Sequence, residues 1–193
     1  ENRFLGAFLF SLGLFCIVQF KYGLFTGKVG YIVNRDLPYV AETAVTLVGN
    51  ALGTLIAALL LRQVRFFTST VSTMDVTISD RVQATVSGKI HDNPLSIFIL
   101  AIFCGILMFT AVEGSRKCKE EKNFTGSLFV VVMPVMVFII CGFNHCIADM
   151  FYYFFAGCPE PSKAIVYFIL AIAGNSVGGM IVPLLKKLSN QPL

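Results

Sequence analysis

Five long stretches of this chain carry no lysine, arginine, aspartate or glutamate: residues 4–20, 43–61, 94–112, 123–148 and 164–185. A bilayer-spanning helix needs about 20 mostly apolar residues, within a range of about 17–25. Each stretch meets that length, the fourth with residues to spare. In hydrocarbon the backbone must satisfy its own hydrogen bonds, so such runs become helices or closed barrels. Barrel strands alternate polar and apolar over about ten residues, and these runs do not alternate. The expected fold is an all-α membrane bundle. Composition agrees, since 13% of the 193 residues are charged, against about 25% in an average soluble domain. Aromatic residues at 13% exclude disorder, because disordered chains are poor in them.

The length allows one transmembrane domain, residues 1–193, with spans expected at about 4–26, 41–62, 94–114, 124–157 and 162–187. The net charge of +4 is mild and forms no dense basic block, which argues against nucleic-acid binding. Arg116, Lys117, Lys119 and Lys122 fall in the loop 113–122, and Lys186 and Lys187 follow the last run. Cytoplasmic loops are enriched in such residues, so these ends face the cytoplasm of a multi-pass protein of the cell (inner) membrane. Segment 62–93, polar and less basic, is expected outside with one short helix. The chain starts at Glu1 without a signal-peptide pattern, and reads as processed or a fragment. The six cysteines show no CxxC and no zinc spacing, and read as buried small hydrophobes.

Two runs are not plain spans. After the first come Gly23, Gly27 and Gly30 within the stretch 22–30, which suggests a non-helical loop. The fourth is interrupted near 142–149 by a polar cluster, Asn144, His145 and Asp149. Both read as broken helices, which membranes tolerate only where irregular backbone is buried in protein or lines a watery cavity. Each break is followed by a helix bearing GNxxG, Gly49-Asn50 to Gly53 and then Gly174-Asn175 to Gly178. Such small-residue motifs alone only let helices pack closely. Their coupling to two breaks indicates an internal repeat with a transport site between its halves. The second half has a plain span, 94–112, before its broken helix, whereas the first half starts on its broken helix. One span is therefore expected to be missing at the N-terminus.

His145 is the strongest candidate for chemistry. Its ordinary pKa of about 6.5 lets it change charge near neutrality, and a polar group at membrane depth is a functional hypothesis by default. Asp149, four residues on, shares its helical face, and either biases the imidazole or caps the second half-helix. Lys21 snorkels towards the interface. Lys28 is the better lure for an anion. Glu120 and Glu121 read as solvated loop. There is no GxSxG, P-loop, HExxH or DxD-type cluster, and His91, the second of two histidines, has no ligand partner at metal spacing. Neither an enzyme nor a metal or cofactor site is expected.

The order and spacing of Phe10-Ser11-Leu12-Gly13-Leu14, Leu24-Phe25-Thr26-Gly27, Gly49-Asn50, Cys104-Gly105-Ile106-Leu107, Met133-Pro134-Val135, Gly142-Phe143-Asn144-His145-Cys146-Ile147-Ala148-Asp149-Met150 and Gly174-Asn175-Ser176-Val177-Gly178-Gly179 resemble the formate/nitrite transporter family over essentially the whole chain. The resemblance implies an aquaporin-like bundle of six spans, the second and fifth broken in inverted repeats, with the first family helix lacking a counterpart here. It implies a homopentamer with a pore in each protomer, passing small monovalent anions such as formate or nitrite, or hydrosulfide or lactate in relatives, as a channel or a proton-coupled transporter. His145 matches the central histidine and Thr26 the loop threonine. Phe10, Leu14, Phe25, Val112 and Phe138 match the hydrophobic constrictions, while Asn50, Asn175, Asp149, Lys28 and Lys89 lend polar support.

The chain departs from the family in its polar residues. A usual asparagine falls on Phe109, another on Asp149, and the vestibule lysine on Asn93, with Lys89 one turn earlier as a substitute. Burying a bare anion between apolar constrictions is costly, so the expected mechanism has His145 protonate the anion and the neutral acid cross. A non-transporting, N-terminally truncated remnant or a membrane assembly subunit is the alternative reading. An intramembrane enzyme using His145 and Asp149 lacks a nucleophile.

Overall fold

The structure, a computed structural model, describes residues 2–68, 70–71 and 74–190. Its helices are α1 (Arg3–Gln19), α2 (Phe25–Lys28, continued by a 3-10 turn Val29–Asn34), α3 (Leu37–Arg62), α4 (Ile78–Ile90), α5 (Pro94–Glu120), α6 (Phe124–Cys141), α7 (Cys146–Phe155) and α8 (Pro161–Leu188). Among the described residues α3, α5, α6 and α8 are long and apolar enough to cross a membrane. Helix starts follow local chemistry. Proline occupies the first turn of α3, α5 and α8, where its missing N–H has no intrahelical partner to lose. Asn2, Asn93 and Asn123 accept first-turn N–H groups of α1, α5 and α6, the usual work of an N-cap.

α5 lies at the centre, packed on α8 and α6, while α1 packs on α6 and α3 on α7. The α5–α8 seam depends on missing side chains. A Cβ at Gly178 would lie 2.0 Å from the Ile102 carbonyl oxygen, and one at Gly105 would lie 2.3 Å from that of Asn175. Close backbone approach through small residues is how helices gain contact where lipid supplies no hydrophobic drive.

Several expectations need correction. The glycine-rich stretch is a loop only at its start: the first break is residues 20–24, which hold Gly23, and Gly27 and Gly30 sit in helical backbone. These glycines serve proximity, since a Cβ on Gly30 would meet the Gly179 carbonyl and the Phe109 ring, both at 2.4 Å. The first span therefore ends at Gln19 and resumes at Phe25. The second break is narrower than expected, residues 142–145. α5 runs to Glu120 rather than ending near 114, held by Arg116 pairing with Glu113 and Glu120 at helical spacing. Segment 62–93 contains the expected short helix, α4, and also a two-stranded ribbon, β1 (Thr70–Val71) with β2 (Met74–Thr77). Cys104 and Cys146 are buried as expected, but Cys16, Cys141 and Cys158 are exposed; a thiol is small and weakly polar enough for an apolar exterior as well as a core.

Candidate functional site

The two breaks are built on one pattern. α1 ends with Lys21 in the left-handed region (φ 58) and the Tyr22 N–H donating to the Ile17 carbonyl at 3.0 Å. α6 ends with Gly142 at φ 72 and the Phe143 N–H donating to the Phe138 carbonyl at 2.9 Å. Both are left-handed helix stops closed by a six-residue backbone loop. Each stop leaves groups of the break without a backbone partner, and an asparagine from the GNxxG helix satisfies them. Asn50 accepts from the Phe25 N–H at 2.9 Å and donates to the Gly23 carbonyl at 2.9 Å. Asn175 accepts from the Cys146 N–H at 2.9 Å and donates to the Asn144 and Ala101 carbonyls, both at 2.8 Å. The coupling of GNxxG to a break thus has a physical cause. In this register Leu24 corresponds to His145, Thr26 to Ile147 and Lys28 to Asp149.

His145 is the N-cap of α7, its Nδ1 accepting the Ala148 N–H at 3.1 Å. An N–H only donates, so Nδ1 carries a lone pair and the ring proton lies on Nε2. Nε2 is 3.1 Å from Thr26 Oγ1, so Nε2–H donates to the threonine and leaves the hydroxyl proton free to donate onward. Both side chains are buried. Phe138 stacks on the imidazole at 5.5 Å, and Phe10 meets Phe138 edge-on at 6.0 Å. His145 forms part of the wall of a cavity of about 470 Å3. The rest of that wall is mostly apolar, with Phe10, Leu14 and Ile17 from α1, Met108 from α5, and Ile147, Ala148 and Phe151 from α7. Thr54, Tyr152 and His145 are its polar side chains.

Of the expected constriction residues, Phe10 and Leu14 line this cavity, and Phe138 stands behind Phe10 and His145. Phe25, Thr26 and Val112 are outside its wall. Phe25 is buried at the start of α2, and Val112 packs where a side chain on Gly27 would stand, 3.1 Å from its Cβ position. Phe109 is fully buried against Tyr31, 5.4 Å between rings. Asn93 caps α5.

A second polar cluster lies one turn along α7. Asp149 accepts from the Tyr167 hydroxyl at 2.6 Å and pairs with Lys89 Nζ at 3.2 Å, and the same ammonium donates to Asn144 Oδ1 at 2.8 Å. Lys89 arrives on α4. Of the alternatives for Asp149, its side-chain bonds are to Tyr167 and Lys89; the α7 cap is His145. Lys28, expected as an anion lure, is paired with Glu42 and stands over the Tyr39 ring at 5.4 Å. Sequence reasoning overlooked Tyr167. The signal was present, since Tyr167 precedes Asn175 by the same interval that Glu42 precedes Asn50. At the far end of α5, Glu113 is held by Arg116 through two bonds of 2.8 Å and accepts the Tyr31 hydroxyl at 2.8 Å. Lys119 donates to the Val18 carbonyl at 2.8 Å, closing the end of α1. Among the described residues no three His, Cys, Asp or Glu side chains gather as a metal site.

Paired broken helices, each pinned by an asparagine of the next apolar helix, define an all-α membrane protein built from two related halves. The sequence profile of the formate/nitrite transporter family matches residues 1–187, and the chain belongs to that family. It is 28% identical over 152 residues to the formate channel FocA of Haemophilus influenzae, covering 78% of this chain and 52% of that protein. It thus spans about half the length of that channel. Among solved structures it is similar to a pentameric formate channel with formate bound (TM-score 0.75, 24% identity, 97% of this chain and 83% of that one). It is also similar to an FNT family ion channel (TM-score 0.81, 15% identity, 98% and 78%).

Proposed function

We propose that this chain forms, as a homopentamer in the cell membrane, a conduit in each protomer for small monovalent anions of weak acids, formate and nitrite among them, which cross with a proton. The observation that carries the reading is the buried pair of Thr26 Oγ1 and His145 Nε2 at 3.1 Å, placed where the two half-helices begin and beside an apolar cavity. An ionised carboxylate is strongly disfavoured in such surroundings and the neutral acid is not. The ring rests neutral, with Nδ1 held by the Ala148 N–H. To carry a second proton it gives up that bond; it then protonates the anion and returns to the capped form. Phe10, Leu14, Phe25, Val112 and Phe138 keep water from following, and the Thr26 hydroxyl orients the anion. The similarity to a formate channel and to a pentameric formate channel supports both substrate class and assembly.

The test is formate flux into proteoliposomes over a range of pH. Wild-type flux rises on acidification, and His145→Ala lowers it by about 100-fold, the scale of a lost general acid, with the pH profile flattened. Unchanged flux and profile in His145→Ala would sink the proton-transfer role.

A further inference from the structure

The cluster beside His145 contains a charge that its own neighbour cancels. Lys89 Nζ has three protons to donate, and three oxygens stand around it: Asn144 Oδ1 at 2.8 Å, Asp149 Oδ1 at 3.2 Å and Asp149 Oδ2 at 3.4 Å. The Asp149 carboxylate is closed off in turn by the Tyr167 hydroxyl at 2.6 Å. The Lys89 side chain is 21% exposed and that of Asp149 only 6%, so the ammonium is the accessible partner of the pair and the carboxylate is the buried one. The pair is anchored at both edges of the central histidine, through Asn144 before it and Asp149 one turn after it.

From this geometry we infer that Asp149 is the residue that sets charge selectivity. By holding Lys89 in a neutral pair, it removes the positive centre that would otherwise concentrate permanent anions beside His145. The conduit then discriminates by acid strength. Solutes that can be met by a proton, such as formic, nitrous or hydrosulfuric acid, pass; anions of strong acids, such as chloride, nitrate or perchlorate, gather no faster than in bulk and are refused at the apolar wall. The inference rests on the weak-acid reading above and adds the group that enforces it. A lone ammonium at that point would favour any anion, because opposite charges a few ångströms apart attract strongly wherever water is sparse. Asp149 acts on solutes through Lys89 and is a positioning residue.

The experiment compares three proteins in proteoliposomes: wild type, Asp149→Asn, and the double variant Asp149→Asn with Lys89→Met. Formate flux and nitrate conductance are read on the same preparation. Wild type passes formate and shows nitrate conductance at background. Asp149→Asn keeps the hydrogen-bonding shape while freeing the lysine charge, and raises the nitrate-to-formate ratio at least tenfold. The double variant, neutral again, brings that ratio back to the wild-type level. A merely structural role lowers both fluxes together and leaves the ratio fixed, which overturns the proposal, as does a wild type that conducts nitrate as well as formate. A wild type inert to every solute overturns the transport reading and this inference with it. An unaltered ratio in an active Asp149→Asn overturns this inference alone.

Discussion

At the first break α2 starts from Leu24, which has no side chain able to cap it; at the second, α7 starts from His145, which caps it and reaches Thr26. The first break is pinned by Asn50, which is partly exposed and makes two bonds, the second by Asn175, which is fully buried and makes three. In the first half the fourth residue after the N-cap is Lys28, paired with Glu42, whose side chain is 63% exposed; in the second it is Asp149, buried against Tyr167 and Lys89. The helices behind the breaks differ likewise. Gly49 faces open space, whereas Gly174 and Gly178 are pressed on α5, and 6% of the apolar window of α3 is buried, against 33% of that of α8. The same backbone device has been kept twice, and the second copy has been loaded with buried polar chemistry while the first remains mostly scaffold.

The contrast breaks most readily at the glycines. Gly178→Ala forces the backbone of α8 away from Ile102 and lowers stability by about 3 kcal/mol, whereas Gly49→Ala, with nothing to strike, stays within about 1 kcal/mol. Thermal unfolding of the purified variants in detergent measures both, and equal shifts would mean that the halves pack alike. The asparagines come next. Asn175→Ala leaves the buried Cys146 N–H and Asn144 carbonyl without their partner and costs about 2–3 kcal/mol, against about 1 kcal/mol for the more exposed Asn50→Ala; the same melts report them. Smaller still, Lys28→Gln changes formate flux by less than about twofold, because a pair with so exposed a partner contributes little. A larger loss would return Lys28 to the role of anion lure.

The smallest effect concerns α4, which delivers Lys89. The Thr77 hydroxyl and backbone N–H hold the Asp80 carboxyl below its ordinary value of 3.8, as the two halves of a capping box. A group with a depressed folded pKa stabilises above its unfolded pKa and loses that contribution as pH falls through the folded one. Amide protection at the start of α4 therefore stays level from neutral pH down to about 4 and declines only below it, while Thr77→Ala lowers protection across the whole neutral range; hydrogen exchange resolves the two.

Much of this was legible from the chain. The uncharged runs fall on apolar helices, four of which among the described residues are long enough to cross a membrane, and GNxxG beside each interruption marked the asparagines that pin the breaks. His145 stood out as a polar residue with no solvated loop to explain it. Other features depend on contacts that no local pattern encodes. Gly27 and Gly30 look like loop residues until Val112 and Phe109 are seen to occupy the space of their missing side chains. Residues 113–120 look like a charged loop until Arg116 is placed on Glu113 and Glu120. The partners of Lys28 and Asp149 come from other helices, so neither a lure nor a cap could be told from spacing.

The pins also impose an order on biosynthesis. Each asparagine lies downstream of the break it satisfies, 25 residues from Phe25 to Asn50 and 29 from Cys146 to Asn175. A broken helix thus leaves the ribosome before the group that completes it has followed it out. The carbonyls of Gly23 and Asn144 lack these partners until α3 and α8 arrive beside them. Asn175 is the later of the two to be made, so the half that carries His145 is finished last, and a nascent chain halted before α8 holds its histidine in an unfinished turn.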